Sequence, residues 1–242
     1  MKPLVWVTRP DGQSEATVQR VKEMGWEALV APLLKVEHLP ATALEGAHYD
    51  AIVLTSANGV PALQVWAQAK PDLHALPVIT TGKSTAQAAE AAGFENVFPI
   101  EGPAPKAFSA VPSHLGNDAF SVLYPCAQKT AHDAAKLAQE NGLTCTAIPV
   151  YATQPVTALP DKVRAAWMAG KLDAVLLYSP RTAGTLAKLM ANMPQNPPLM
   201  ACLSEAIAQA LPDAWQKQAL WPASPVQDLL FQRLAEALNK DQ

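Results

Sequence analysis

The chain has 242 residues, half of them apolar and 16% charged, with a formal net charge of −3, which fits one large α/β domain or two small ones with a proper core. Lys and Arg are spread thinly with no basic block, which argues against nucleic-acid binding, and no apolar run approaches membrane-spanning length. The N-terminal segment lacks a signal-peptide pattern, and Cys126, Cys145 and Cys202 follow neither a disulfide framework nor a zinc-site spacing, so a cytoplasmic protein is expected.

Taken in chain order, short apolar runs predict strands at residues 4–8, 28–33, 51–55, 78–81, 97–99, 121–124, 144–150, 174–178, 199–203 and 219–221. Helices are predicted to begin near Gln13, Asn58, Ser84, Lys129, Arg181, Glu205 and Ser224; Ser224 offers a hydroxyl cap and Pro225 a first-turn proline. Strands alternating with helices are the pattern of βα units on a parallel sheet. Residues 36–40 and 154–160 read as connectors.

The sequence repeats itself. Residues 23–34 align with 140–151, Gly25 on Gly142 and Pro32 on Pro149. Residues 49–56 align with 172–179, Asp50 on Asp173, and 76–89 align more weakly with 197–210. The order is kept and the offsets nearly coincide, so two similar α/β domains are expected from a duplicated unit of about half the chain.

Gly82-Lys83-Ser84-Thr85 matches the tail of a phosphate-binding P-loop. The glycine that pattern needs five residues earlier is Pro77, which has no N–H and a fixed φ, and Val78 and Ile79 read as strand. The duplicate carries Leu203-Ser204-Glu205-Ala206, without Gly or Lys. What recurs there, and again at 55–58 and 178–182, is a strand end, a tight turn and a helix N-terminus. Strand ends of this kind line the ligand crevice of open α/β sheets, and helix N-termini offer free N–H groups to anions. Any one Ser or Thr could simply cap its own helix. The set, at corresponding strand ends, suits a ligand carrying many carboxylates.

Val7-Thr8-Arg9-Pro10, the Asp-Ala-Ile-Val-Leu-Thr-Ser segment at 50–56, Gly82 with Thr85-Ala86, Tyr124-Pro125-Cys126, Pro149-Val150-Tyr151 and Tyr178-Ser179-Pro180 are each short and degenerate. In their order and spacing over nearly the whole chain, they resemble the uroporphyrinogen-III synthase family. The resemblance implies two similar flavodoxin-like domains with parallel sheets joined by a two-stranded connector. The first would be 1–36 plus 154–242, the second an insertion at 37–153, with the active site in the cleft between them. It implies a cofactor-independent, metal-free cyclising hydro-lyase of tetrapyrrole and haem biosynthesis. Hydroxymethylbilane would lose water, ring D would invert through a spiro intermediate, and uroporphyrinogen III would form. The partner implied is this linear tetrapyrrole, with neither nucleic acid nor membrane, and the protein is expected to be a monomer.

The same resemblance assigns Tyr151 as catalytic, a general acid at the departing hydroxyl. It assigns substrate binding to Thr55, Ser56 and Asn58, to Gly82, Lys83, Ser84 and Thr85, and to Ser179, Pro180 and Arg181, with Arg9 from the opening motif. The chain departs from the family at Leu203 and Ala206, which places Ser204 and Glu205 outside the expected contacts. After Tyr124-Pro125-Cys126 the family often has a basic residue, for which Lys129 and His132 are the nearest candidates. Cys126, with no His paired to it in the sequence, reads as a buried thiol. Two other readings stay open on the residues alone: a non-catalytic two-domain binder of a polycarboxylate, and a nucleotide-using enzyme resting on Gly82-Lys83-Ser84.

Overall fold

The computed structural model describes residues 2–10, 13–44, 48–115, 120–130, 132–191 and 197–240. The chain falls into two compact units, Met1–Lys35 with Gln154–Gln242, and Val36–Thr153. In chain order the first elements are β1 (Leu4–Val7), α1 (Glu15–Glu23), β2 (Glu27–Val30), β3 (Leu34–His38) and β4 (Ala51–Leu54). A 3-10 turn at Ala57–Gly59 leads into α2 (Val60–Ala69), followed by β5 (Pro77–Thr81), α3 (Lys83–Ala91), β6 (Asn96–Ile100) and α4 (Ala104–Leu115). Then come β7 (Phe120–Ala127), α5 (Ala134–Glu140), β8 (Leu143–Pro155), α6 (Asp161–Met168), β9 (Ala174–Leu177) and α7 (Pro180–Leu189). The chain continues through β10 (Leu199–Cys202), α8 (Glu205–Ala208), α9 (Asp213–Gln216), β11 (Ala219–Leu220) and α10 (Gln227–Lys240).

The first unit holds a five-stranded sheet in the order β11-β10-β9-β1-β2, every recorded pair parallel. Its strands β1, β9 and β10 are apolar throughout because both faces are covered. In β1, Trp6 packs on one face with Val163, Val175 and Trp215, while Val5 and Val7 pack on the other with Leu176, Leu230 and Phe231. Burying each such side chain contributes about 1.5–3 kcal/mol relative to leaving it in water. The Trp6 indole N–H donates to the Ala31 carbonyl at 2.8 Å, so its one polar atom is satisfied in the core.

In the second unit the sheet runs β3-β8-β7-β4-β5-β6, with β4 to β8 joined in parallel. Its faces are two further clusters, one around Ile52, Leu54, Leu63 and Trp66, the other around Val53, Phe108, Val122 and Tyr124. Laying β7, β8, β4, β5 and β6 on β1, β2, β9, β10 and β11 reproduces the same order of neighbours. The correspondence reaches single bonds. Asp173 accepts from the Leu4 N–H at 2.7 Å, and Asp50 accepts from the Ser121 N–H at 2.8 Å, each at the foot of the neighbouring strand.

Several elements differ from the sequence expectation. Residues 36–38, read as a connector, belong to the edge strand β3, and 154–155 extend β8. Leu39 N–H donates to Val150 O and Val156 N–H to Leu33 O, so these two segments run antiparallel. Helix α4 was not among the expected helices, and it carries both Pro105 and Pro112. Pro105 stands in the first turn, where a missing N–H costs nothing, and Ala107, Phe108 and Val111 supply a buried stripe that holds the helix despite Pro112. Helix α6, also unexpected, is held by Val163 and Trp167 one turn apart. At the C-terminus the helix starts at Gln227 and not at Ser224, and near Lys129 it starts only at Ala134, capped by Asp133.

Candidate active site

In the second unit the C-terminal ends of β4, β5, β7 and β8 gather hydroxyl groups. Thr55, Ser56 and Asn58 follow β4, all half-buried. The Ser56 Oγ accepts from the Asn58 N–H at 3.3 Å and caps the 3-10 turn. Gly59 lets that turn lie close to its neighbours, for a Cβ there would stand 2.8 Å from Leu54 Cδ2 and 3.3 Å from the Pro125 carbonyl. The Thr55 Oγ1 lies 3.0 Å from the Tyr124 phenol of β7, and the Thr55 carbonyl accepts from Thr81 Oγ1 of β5 at 3.0 Å.

Tyr151 reaches this face by a local irregularity of β8. The register shifts so that Cys126 faces Pro149 but Ala127 faces Tyr151, which leaves Val150 as an extra residue. Val150 and Tyr151 consequently pack into one cluster, although neighbours on a regular strand point to opposite faces. The Tyr151 phenol stands beside Ser56. Burial raises its pKa above the ordinary 10.0, an effect the Ser56 hydroxyl opposes and the nearby Cys126 thiol reinforces. At neutral pH the group is a protonated donor held in a mostly apolar wall.

At the end of β5, Gly82 has φ +77° and ψ 158°, a conformation open to glycine, and its N–H donates to Ile100 O at 2.9 Å. An N–H spent on a strand carbonyl cannot cradle a phosphate, and β5 runs straight through Pro77, so the P-loop reading loses its loop. Lys83 and Ser84 are exposed on the first turn of α3, while Thr85 is buried in the stripe it shares with Ala86 and Ala89. Lys129 is exposed one residue beyond Gln128, whose N–H donates to Tyr151 O at 2.7 Å.

The first unit carries its own group of strand-end residues. Ser179 caps α7, its Oγ accepting from the Thr182 N–H at 3.1 Å, with Pro180 and Arg181 exposed on the opening turn. The Arg9 guanidinium lies 3.9 Å above the Tyr178 ring. Burial raises the Tyr178 pKa and the Arg9 charge opposes the rise. Ser204 makes no side-chain cap bond and Glu205 is exposed.

The sequence matches the family described as uroporphyrinogen-III synthase HemD over residues 15–232. The chain belongs to the uroporphyrinogen-III synthase family. A curated relative, the porphyrin biosynthesis protein HemD of Ruminiclostridium josui, is 25% identical over 228 residues, 86% of this chain. The chain spans 44% of that relative's length. Among solved structures, the uroporphyrinogen-III synthetase of Helicobacter pylori 26695 superposes with TM-score 0.64 at 17% identity, covering 98% of this chain and 100% of that one. A mutant uroporphyrinogen III synthase from the extremely thermophilic bacterium Thermus thermophilus gives 0.55 at 18% identity, covering 98% and 99%. Both share the α/β fold with parallel-dominated sheets.

Against this family background, three residues near the expected contacts were given no site role by sequence reasoning: Thr81, and Tyr124 and Tyr178, which entered only as parts of resemblance motifs. Each carries a hydroxyl at or next to the end of a predicted strand, which is the signal that would have found them. Among the described residues no three His, Cys, Asp or Glu side chains gather to hold a metal ion. None of the helices is long and apolar enough to cross a membrane, again among the described residues.

Proposed function

We propose that this protein is a uroporphyrinogen-III synthase, a cyclising hydro-lyase that closes hydroxymethylbilane to uroporphyrinogen III with inversion of ring D. The observation that carries this reading is the family match across residues 15–232. The reaction asks little of a catalyst's chemistry. The pyrrole nitrogen pair expels the bilane hydroxyl and leaves an azafulvenium cation, so the main task is to hold a flexible chain in the conformation that closes with inversion. Tyr151 gives its phenolic proton to the departing hydroxyl, which leaves as water, and the phenolate takes back the proton that the cation releases as the macrocycle closes. Its protonated state, kept by burial, supports that role.

Carboxylates of the bilane are held by strand-end donors, Thr55, Ser56, Asn58, Lys83, Ser84, Thr85 and Lys129 in the second unit and Arg9, Ser179 and Arg181 in the first, while Gly82 and Pro180 shape the turns that present them. Each unit is a flavodoxin-like domain. The neighbour order β2-β1-β9-β10-β11, read 2-1-3-4-5, supports this, as does the equivalent order β8-β7-β4-β5-β6. The antiparallel segments around Leu33–Val156 and Leu39–Val150 serve as the two-stranded connector. The protein works in the cytosol as a monomer on this small molecule, with neither nucleic acid nor membrane as partner and with no cofactor; three free cysteines suit a reducing compartment.

Incubation with freshly prepared hydroxymethylbilane, followed by oxidation and isomer separation, tests the reading. An excess of the type III isomer over the spontaneous type I is expected. A mere polycarboxylate binder would leave the substrate to close to type I. The activity should be unchanged by chelators and by added nucleotides, and loss on chelation would contradict the mechanism.

A further inference from the structure

We propose that Tyr124 is a positioning residue that orients the Thr55 hydroxyl for an anionic group of the substrate. This inference rests on the synthase reading above. The two oxygens lie 3.0 Å apart, so one must donate to the other. Tyr124 is 5% exposed, its ring meets Phe108 edge-on at 5.3 Å, and its oxygen makes no other hydrogen bond among the described residues. Were the phenol to accept, its own proton would be left buried and unpaired, the costlier arrangement. The phenol therefore donates, and the Thr55 Oγ1 accepts.

A hydroxyl has one proton and two lone pairs. With a lone pair of Thr55 occupied by Tyr124, its proton is left for a group outside this pair. Thr55 is half-buried at the end of β4, and its Oγ1 has no second partner among the described residues. Its backbone cannot swing away, because Thr81 Oγ1 holds the Thr55 carbonyl from the neighbouring strand at 3.0 Å. A fixed donor suits a carboxylate; a threonine that spent its proton on tyrosine would present lone pairs and repel one. The duplicate half has no such pair, since Val7 and Tyr178 occupy the positions of Tyr124 and Thr55, so the strand frame itself does not demand it.

The test is a steady-state comparison of variants on hydroxymethylbilane, with type III product from the unaltered protein as the control. Tyr124→Phe keeps the ring and should raise KM about fivefold, the worth of one neutral hydrogen bond, with a smaller change in kcat. Thr55→Val should raise KM, and adding Tyr124→Phe to Thr55→Val should raise it no further. Thr55→Ser keeps the acceptor and should restore KM toward the original value, which gives a readout that does not depend on Tyr124→Phe folding. An unchanged KM in Tyr124→Phe, equal effects with and without the Thr55 hydroxyl, or equal KM for Thr55→Ser and Thr55→Val would each overturn the inference while the control still made type III product. A control that yields only type I product would overturn the synthase reading and this inference with it.

Discussion

Tyr151 stands one residue past the extra residue of β8, and that placement decides which face its phenol serves. If it is the proton donor, Tyr151→Phe should lower kcat by about 10²-fold or more, the low end for a general acid, while the melting temperature stays within a degree or two because the ring and its packing remain. A Phe variant with unchanged turnover would leave positioning as the whole mechanism. Because burial raises the phenol above 10.0, its loss of a proton cannot limit turnover at neutral or mildly alkaline pH. Any fall of kcat with pH that belongs to this group lies above 10, and a pH–rate profile checks it. Lys83 makes a contrasting case. It is exposed and forms no ion pair among the described residues, so Lys83→Ala should change KM by about twofold or less, the scale of a solvated charge contact. A phosphate-loop lysine would be indispensable, so a collapse of activity in that variant would reopen the nucleotide reading.

At the scale of elements, the turn from β5 into α3 depends on Gly82. A side chain there would meet no atom within 4 Å, so the obstacle to substitution is conformational and not steric crowding. Gly82→Ala should destabilise by about 1–3 kcal/mol in urea unfolding, the cost of forcing a Cβ into φ +77°, ψ 158°. The strands were legible because sheets covered on both faces need continuous apolar runs, as in Ala-Ile-Val-Leu of β4 and Ala-Val-Leu-Leu of β9. The edge strand β3 was not, since Leu-Lys-Val-Glu-His exposes Lys35, Glu37 and His38 and runs toward Pro40, the dress of a loop or of a guarded edge alike. Helix α4 hid behind its prolines. The strand-end residues of the candidate site were readable from the repeated strand–turn–helix pattern. The pairing of Tyr124 with Thr55 was not, because it joins residues 69 apart, and the shift that turns Tyr151 leaves no mark in Pro-Val-Tyr.

For the molecule as a whole, buried thiols and phenols set a stability limit on the alkaline side. Burial pushes Cys145 and Cys202 from the ordinary 9.0 up to about 12, and raises Cys126, Tyr124, Tyr151 and Tyr178 as well. The folded chain thus keeps protons that the unfolded chain releases from about pH 9 upward. This contribution is fully present below 9 and is lost as pH climbs toward 12. Melting temperatures measured across that range should fall steadily, and Cys202→Ala should make the fall shallower. An unchanged slope in that variant would mean that the Cys202 thiol is not what carries the limit.

The discontinuous unit has a consequence for synthesis. Strand β1 lies in the middle of its sheet, between β2 and β9, and Leu4 bonds Asp173, 169 residues later. At 5–20 residues per second a ribosome needs roughly 10–30 s to deliver that partner. Throughout this interval Val5, Trp6 and Val7 have no β9 to lie against, and by its end the inserted segment 36–153 has been made in full. A nascent chain arrested before residue 174 should therefore show a protease-resistant middle and a cleavable N-terminal strand, and it should engage a ribosome-associated chaperone that the finished protein no longer binds.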